Sequence, residues 1–404
     1  MKVAVVGGGA VGLCCAWSLA RRGADVVVYE RARVGSGCSF GNTGWICPGL
    51  SAPLPAPGVM GAALRGMLRP GSPVLIRPLF GPAFLRWSWG FWRACAPERY
   101  RAGLEATVAL SRRTFELFDE LRAAGVEFEM HSAGMVVAAL TEAGLEEYAT
   151  MLREAQAAGY DGQVRVLDGD AVRELEPAAS EAVVGGVHAP AERYVRPESF
   201  TRGLADALRR DGALVREGVA VGDLRDVVAD AVVVAAGVWS GSLLRSAGVH
   251  VPLEAAKGYS ITARGNGTAP RHAFYLAEAK VGCSTFGDAV RIAGVFDLTG
   301  VDLTLRRRRI ETITRSAAAF FRDWEPEDVE LEWAGLRPYP PDGLPLVGRV
   351  PGSDRLYAAT GHGRMGITLA PATGELLADV VLHGAEPPEL APFGLARLGR
   401  ISGR

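Results

Sequence analysis

Val3-Ala4-Val5-Val6-Gly7-Gly8-Gly9-Ala10-Val11-Gly12, answered further on by Glu30, is the stretch on which the fold turns. Val3 to Val6 is a short β-branched run, the pattern of a strand buried on both faces. A helix follows to about Arg22, with Leu13, Ala16, Trp17 and Ala20 on one stripe, and Gly23 stops it. Val26 to Tyr29 forms a second strand that ends at Glu30. Strand, glycine turn, helix and strand within 30 residues make a β-α-β unit. A Gly-x-Gly-x-x-Gly spacing is weak by itself. Set between a strand and a helix, with an acid 18 residues past Gly12, it reads as a dinucleotide-binding turn. Gly7 permits the tight turn, Gly9 lets a pyrophosphate reach the backbone, and Gly12 lets helix and strand pack closely. The helix start at Ala10 and Val11 offers unpaired N–H groups and about +0.5 of charge. Glu30 can accept hydrogen bonds from ribose hydroxyls. The turn itself leaves NAD and FAD both open.

The chain has 404 residues, 49% hydrophobic and 22% charged. That is a globular balance, excluding a disordered or fibrous chain and suggesting two or three domains. Lys and Arg total 44 and Asp and Glu 45, so nothing draws the whole chain to nucleic acid or to an anionic membrane. The cysteines at 14, 15, 38, 47, 95 and 283 form no Cys-x-x-Cys pair. They read as small apolar side chains in a reducing compartment, not as a disulfide or metal scaffold. The histidines at 131, 188, 250, 272 and 383 stand at no metal-ligand spacing. No apolar run reaches about 18 residues and no signal-peptide pattern opens the chain, so the expectation is a cytoplasmic protein.

Residues 35–82 are rich in Gly, Pro and Ser and read as ordered loop. Within them, the small and hydroxyl residues of 31–44 can run along a long cofactor; a surface glycine-rich loop is the alternative. Residues 84 to about 121 are helical in pattern. A β segment at 134–138 precedes a helix near 142–158, and 167–175 reads as a short helix. Pro197–Arg210 is a helix opening on proline. Residues 230–237 are a second buried parallel strand. Residues 250–330 hold short strands, among them 259–262 and 290–295, then a helix over about 307–321. The arginine run 306–309 reads as a solvated helix face. Leu356–Thr360 is a strand, and a helix over about 370–382 closes the fold.

Three groups of motifs agree in order with a known family. They are Gly7 to Gly12 with Glu30; Cys38-Ser39-Phe40-Gly41-Asn42-Thr43-Gly44 leading to Pro48 and Ala52-Pro53; and Trp333-Ala334-Gly335-Leu336-Arg337-Pro338 with Pro341-Asp342-Gly343. The last is followed by Pro345-Leu346-Val347-Gly348 and Thr360-Gly361-His362-Gly363. Together they resemble the FAD-dependent D-amino acid oxidase family, which includes glycine oxidase and sarcosine oxidase. The 39–44 segment and the stretch from Phe91-Trp92-Arg93 to Tyr100-Arg101 are similar to the subgroup of bacterial D-amino acid dehydrogenase small subunits.

The resemblance implies an α/β protein: a Rossmann-like FAD-binding domain with a second, mixed-sheet α+β substrate (cap) domain. The first would be assembled from residues 1–78, 162–247 and 331–389, the second from 79–161 and 248–330, with 390–404 as a tail. It places Glu30 and Arg31 at the adenosine, with Gly7, Gly9, Ala10, Val11 and Gly12 at the pyrophosphate. Cys38, Ser39, Asn42, Thr43 and Gly44 would follow the pyrophosphate and ring. Val221 would meet the adenine, with Gly237 nearby. Gly361, His362, Gly363, Arg364, Met365, Gly366, Ile367 and Thr368 would line the flavin. A glycine turn before a helix suits that last role, since its N–H groups stabilise negative charge on a reduced flavin.

Arg337 is the expected carboxylate clamp, a charge-assisted fork worth about 1.5–3 kcal/mol per hydrogen bond; a bridge to Asp342 is its alternative. Tyr259 would place a hydroxyl over the flavin or else pack as a strand tyrosine. Tyr194 is a weaker candidate, and His362 would support the flavin. No general base is assigned: hydride would pass from Cα to flavin N5, leaving an imino acid that hydrolyses to a 2-oxo acid. Residues 337–342 contain no Cys, so FAD would be noncovalent. The substrate would be a D-amino acid or related small amine-bearing acid, and the acceptor a quinone or electron-transfer partner. An oxygen-using glycine, sarcosine or cyclic imino acid oxidase, an NAD-linked dehydrogenase and a non-catalytic flavoprotein subunit stay open. So do homo- and hetero-oligomers. The aromatic and basic stretch 84–93 would either rest on a membrane surface or face the core.

Overall fold

A computed structural model describes residues 1–67, 72–76, 81–384 and 386–398. Val3 to Val6 sit near the middle of a six-stranded sheet. Across it the order is Leu214–Arg216, Asp25–Tyr29, Lys2–Val6, Ala231–Val234, Leu356–Thr360 and Leu346–Arg349. The first five run parallel and the last antiparallel. Such short apolar runs suit strands covered on both faces. Helices Ala10–Arg21, Pro197–Arg210 and Gly366–His383 cover one face, packing against Val3, Val5, Val26, Val28 and Val233. Leu224, Leu243, Leu244 and Val249 cover the other. The opening β-α-β unit matches the sequence reading to within one residue at each boundary.

A second sheet has nine strands. Its order is Glu325–Tyr339, Glu254–Asn266, Ala289–Leu298, Val281–Phe286, Ala273–Leu276, Met135–Ala139, Gly185–Ala189 and Arg165–Asp168. Val74–Ile76 lies beside the end of Ala289–Leu298. Two pairings are parallel, Ala273–Leu276 with Met135–Ala139 and Ala289–Leu298 with Val74–Ile76; the rest are antiparallel. Trp45–Ile46, Arg193–Val195 and Met130–His131 form a small third sheet.

The structure departs from the sequence reading at several points. The segment 35–82 is not loop throughout: Val59–Met67 is a helix and Val74–Ile76 a strand, masked in sequence by the Gly and Pro on either side. Residues 68–71 and 77–80 lie outside the described residues. The short strands expected in 250–330 include one of 13 and one of 10 residues. Both faces of the longer are buried, polar Lys257, Ser260 and Thr262 included, so no alternation marks it. Arg306 and Arg309 do not face solvent freely: they pair with Asp302 at 3.2 Å and Asp297 at 2.6 Å. Residues 165–168, 185–189 and 325–339 join the second sheet, so the divisions expected at 161/162 and 330/331 are misplaced. Residues 390–398 are no loose tail, because Leu390, Phe393 and Leu395 are buried; 399–404 lie outside the described residues. The closing helix starts at Gly366, four residues early, and runs through Pro371.

Candidate active site

One cavity of about 1530 Å³ extends from Glu30, Arg31 and Val221 to Arg337 and Gly366. That exceeds the roughly 300–1,000 Å³ of a site for one small ligand. It has room for a dinucleotide and a second small molecule.

At one end the glycine turn builds a backbone cradle. Gly7 has φ 119°, and a Cβ on Gly12 would collide with the Gly7 carbonyl. Ala10 N donates to Ser39 Oγ at 3.0 Å. The Glu30 carboxylate accepts from Gly8 N at 2.8 Å and Ala32 N at 2.9 Å, which fixes it at the cavity wall. The Arg31 guanidinium lies 3.5 Å from the Trp239 ring centroid, and both residues line the cavity. The 38–44 loop is closed on itself: Asn42 Nδ2 donates to Ser39 O at 2.9 Å, and Gly44 N donates to Asn42 Oδ1 at 2.6 Å. Gly12 and Gly44 do not border the cavity. They let Gly7 and Val195 approach from behind. The other expected cofactor residues border it: Gly7, Gly9, Ala10, Val11, Glu30, Arg31, Cys38, Ser39, Asn42, Thr43, Val221, Gly237 and 361–368.

At the other end, Gly366–His383 starts without a side-chain cap. The N–H groups of Gly366, Ile367 and Thr368 find no acceptor among the described residues, and all three residues line the cavity. These donors and the positive helix end suit an anionic or carbonyl group of a ligand. Thr368 Oγ1 donates to Trp45 O at 3.0 Å and accepts from Cys47 N at 3.2 Å, tying the helix to the 45–47 segment. Burial holds the His362 imidazole down to about 3, so it is neutral; its Nε2 lies 3.0 Å from Thr373 Oγ1. Arg364 donates to the carbonyls of Leu50 and Ala52, at 3.3 and 2.9 Å.

Arg337 stands at this same end on Glu325–Tyr339, next to Pro338, whose carbonyl accepts from Gly363 N at 3.0 Å. It lines the cavity and makes one side-chain hydrogen bond, Nη1 to Val295 O at 3.0 Å. Among the described residues it has no carboxylate partner within 4.0 Å. Asp342, the alternative partner, is taken by Arg397 at 2.7 Å. A half-buried guanidinium with free N–H groups facing a cavity has the chemistry to bind a carboxylate. The walls around it are apolar and aromatic: Phe84, Trp87, Phe91, Phe296 and Tyr339 on one side, Trp45 and Tyr275 on another. Burial pushes the Tyr339 and Tyr275 hydroxyls above the usual phenol range, and the Cys38 thiol likewise despite Arg337 beside it.

Tyr259 borders the cavity, but mostly from the core side. Its ring packs in the core of the second sheet with Ile261, Ile310 and Ile313, while its neighbour Gly258 is the residue against Arg337. Its hydroxyl is enclosed without a partner, and burial with nearby Asp297 raises it to about 12. Tyr194 is also core, stacked 4.6 Å from His131. Sequence reasoning missed Trp239, Tyr339, Trp45 and Tyr275. Tyr339 had a signal, two strand positions past Arg337 and so on its face; the others had none. No group of three or more His, Cys, Asp or Glu could hold a metal among the described residues.

A family model described as FAD dependent oxidoreductase (DAO) matches residues 2–380. Among curated relatives, the D-amino acid dehydrogenase of Methylobacterium radiotolerans is 34% identical, covering 100% of each chain. That of Phenylobacterium zucineum is 33% identical over 98% of this chain and 97% of its own. Among solved structures, glycine oxidase from Geobacillus kaustophilus superposes with a TM-score of 0.75 at 24% identity, over 98% of this chain and 99% of its own. L-proline dehydrogenase from P. horikoshii gives 0.75 at 18%, over 98% and 97%. These two likenesses establish the fold.

Proposed function

The chain belongs to the FAD-dependent oxidoreductase family whose model it matches, and on that premise we propose that it oxidises a D-amino acid at Cα. FAD, when bound, would supply the acceptor for the hydride, which carries the substrate carbon's electron pair with it. The observation that carries the substrate class is Arg337, an arginine free of carboxylate partners among the described residues, on the wall of the cavity. It takes the substrate carboxylate as a planar fork and so fixes where Cα lies. The aromatic and aliphatic walls exclude water, which lowers the amine pKa and favours the uncharged amine that oxidation needs. The amides of Gly366, Ile367 and Thr368 would face the flavin end and favour negative charge there. His362, neutral and engaged with Thr373, holds the loop and moves no proton. The product is an imino acid, which water converts to a 2-oxo acid. The curated relatives named D-amino acid dehydrogenase favour the D configuration. The test is an anaerobic screen of D- and L-amino acids against the flavin band near 450 nm. D-amino acids bleach it in this account; bleaching by L-amino acids alone contradicts it.

The same relatives support a quinone or electron-transfer acceptor in place of oxygen. Turnover with a quinone or phenazine dye should then greatly exceed hydrogen peroxide release; equal rates would make the enzyme an oxidase. FAD is held without a covalent bond, so acid precipitation should leave the yellow colour in the supernatant. Among the described residues no helix is long and apolar enough to cross a membrane. Helix Pro82–Ala94 divides its aromatics. Trp87 and Phe91 face inward, while Leu85, Trp89 and Trp92 are 59%, 59% and 56% exposed. Residues 81–97 carry Arg86 and Arg93 and no acidic residue. We read the outer face as a peripheral contact with an anionic bilayer. Sedimentation with vesicles rich in phosphatidylglycerol, lost in a Trp89→Ser, Trp92→Ser variant, is the expected outcome; sedimentation unchanged in that variant rejects it.

A further inference from the structure

Arg337 owes its pose to backbone features of strands other than its own. Its strand Glu325–Tyr339 lies at the sheet edge, next to Glu254–Asn266, which is followed by Ala289–Leu298. The guanidinium crosses the middle strand and donates to Val295 O on the third, at 3.0 Å. The crossing is open because residue 258 is glycine: a Cβ there would overlap Cζ, Nη1 and Nη2 of Arg337. The landing point is itself an outlier. Lys280 and Val295 are the non-glycine residues with positive φ among the described residues, and both border the cavity. At φ 58°, Val295 holds a left-handed backbone that β-branched side chains strongly disfavour. The register explains why. Tyr259 pairs with Gly294 and Lys257 with Asp297, so Val295 and Phe296 together oppose Gly258 alone. This is a β-bulge of the kind whose left-handed first position usually falls to glycine. Strained backbone kept at a cavity wall points to a function.

We propose that the Val295 bulge and Gly258 are a positioning device for Arg337, and this rests on Arg337 being the carboxylate anchor. The bulge turns the Val295 carbonyl to Nη1, Gly258 gives the guanidinium a flat bed, and the remaining N–H donors are left toward the cavity. Both residues act through Arg337. The left-handed backbone is what the device needs; the valine side chain serves the core behind it, in the cluster with Ile261 and Ile292.

Four variants of the FAD-loaded protein test this: Arg337→Lys, Gly258→Ala, Val295→Gly and deletion of Val295. Each is assayed for benzoate binding by calorimetry, KM and kcat with D-alanine, FAD content and Tm. Gly258→Ala and the deletion should weaken benzoate and raise KM by about 10- to 100-fold, with FAD content unchanged. Val295→Gly keeps the bulge without its strain, so it should hold KM within about twofold, while Tm falls because the core contacts with Ile261 and Ile292 are lost. If the deletion loses FAD through misfolding, Gly258→Ala decides. If Arg337→Lys leaves benzoate binding unchanged, the anchor reading fails. If Arg337→Lys weakens binding but Gly258→Ala does not, the anchor stands and the positioning device falls. A rise in KM in Val295→Gly equal to that of Gly258→Ala also overturns it, since the side chain and not the bulge would then be at work.

Discussion

The two ends of the cavity are built in different ways. The dinucleotide end is made of main chain, on a motif contiguous in sequence: Gly7, Gly12, the amides of the first helix and the backbone-held Glu30. The proposed substrate end rests on one side chain, Arg337, supported from strands that are 42 and 79 residues away in sequence at Val295 and Gly258. A main-chain site tolerates no added volume, because backbone cannot move aside. A side-chain site fails by degrees, because a guanidinium can be weakened, misaimed or replaced. Damage at the first end should therefore cost the cofactor, and damage at the second should cost substrate affinity while FAD stays bound.

The largest expected effect is at Gly12. Gly12→Val drives a side chain into the Gly7 carbonyl, and flavin absorbance of the purified protein should fall below about a tenth of normal. Full FAD retention would break the contrast. Arg337→Lys keeps the charge but loses the planar fork, so KM for the amino acid should rise about 10- to 100-fold with FAD retained. Steady-state kinetics on the yellow protein checks both halves.

Glu192 serves as a control outside both ends. It is fully buried, and desolvation raises its carboxyl to about 7 although Tyr160 and Gly49 donate to Oε1, at 2.7 and 2.9 Å. Oε2 has no partner. The folded protein thus binds this proton more tightly than the unfolded chain. Stability from this group is present below the ordinary carboxylate pKa and lost as pH rises toward 7. Glu192→Gln should stabilise by about 1–2 kcal/mol at pH 8 and by far less at pH 4. Thermal unfolding across pH reads this out; a changed KM would show that the substrate end extends further than drawn. The smallest effect is at Glu30. Glu30→Gln should weaken FAD about five- to tenfold and leave KM unchanged.

The same contrast explains what could be read from sequence. Pro197–Arg210 and Leu356–Thr360 match the sequence reading to the residue, because a proline start and a five-residue apolar strand are local signals. The glycine turn was legible for the same reason: its chemistry is in its spacing. Arg337 was legible as a residue type within a motif. Its partners were not, because a bulge that sets Gly258 and Val295 in register has no local signature. Tyr259 shows the same limit. It is one residue from Gly258, and although both border the cavity, only the strand's face decides which of the two lies against Arg337. Trp239 and Trp45 enter through chain that passes the cavity by tertiary packing, and nothing near them in sequence announces a ligand. The helix Val59–Met67 was hidden by flanking glycine and proline, whose density argued for loop.

The most direct measurement is an anaerobic titration of the flavin band with D-alanine and with D-alaninamide, which lacks the carboxylate. The account predicts that the native protein is reduced by the acid at concentrations about 100-fold lower than by the amide, and that Arg337→Lys loses most of this preference. Equal reduction by acid and amide in the native protein, or a preference untouched in Arg337→Lys, would contradict it.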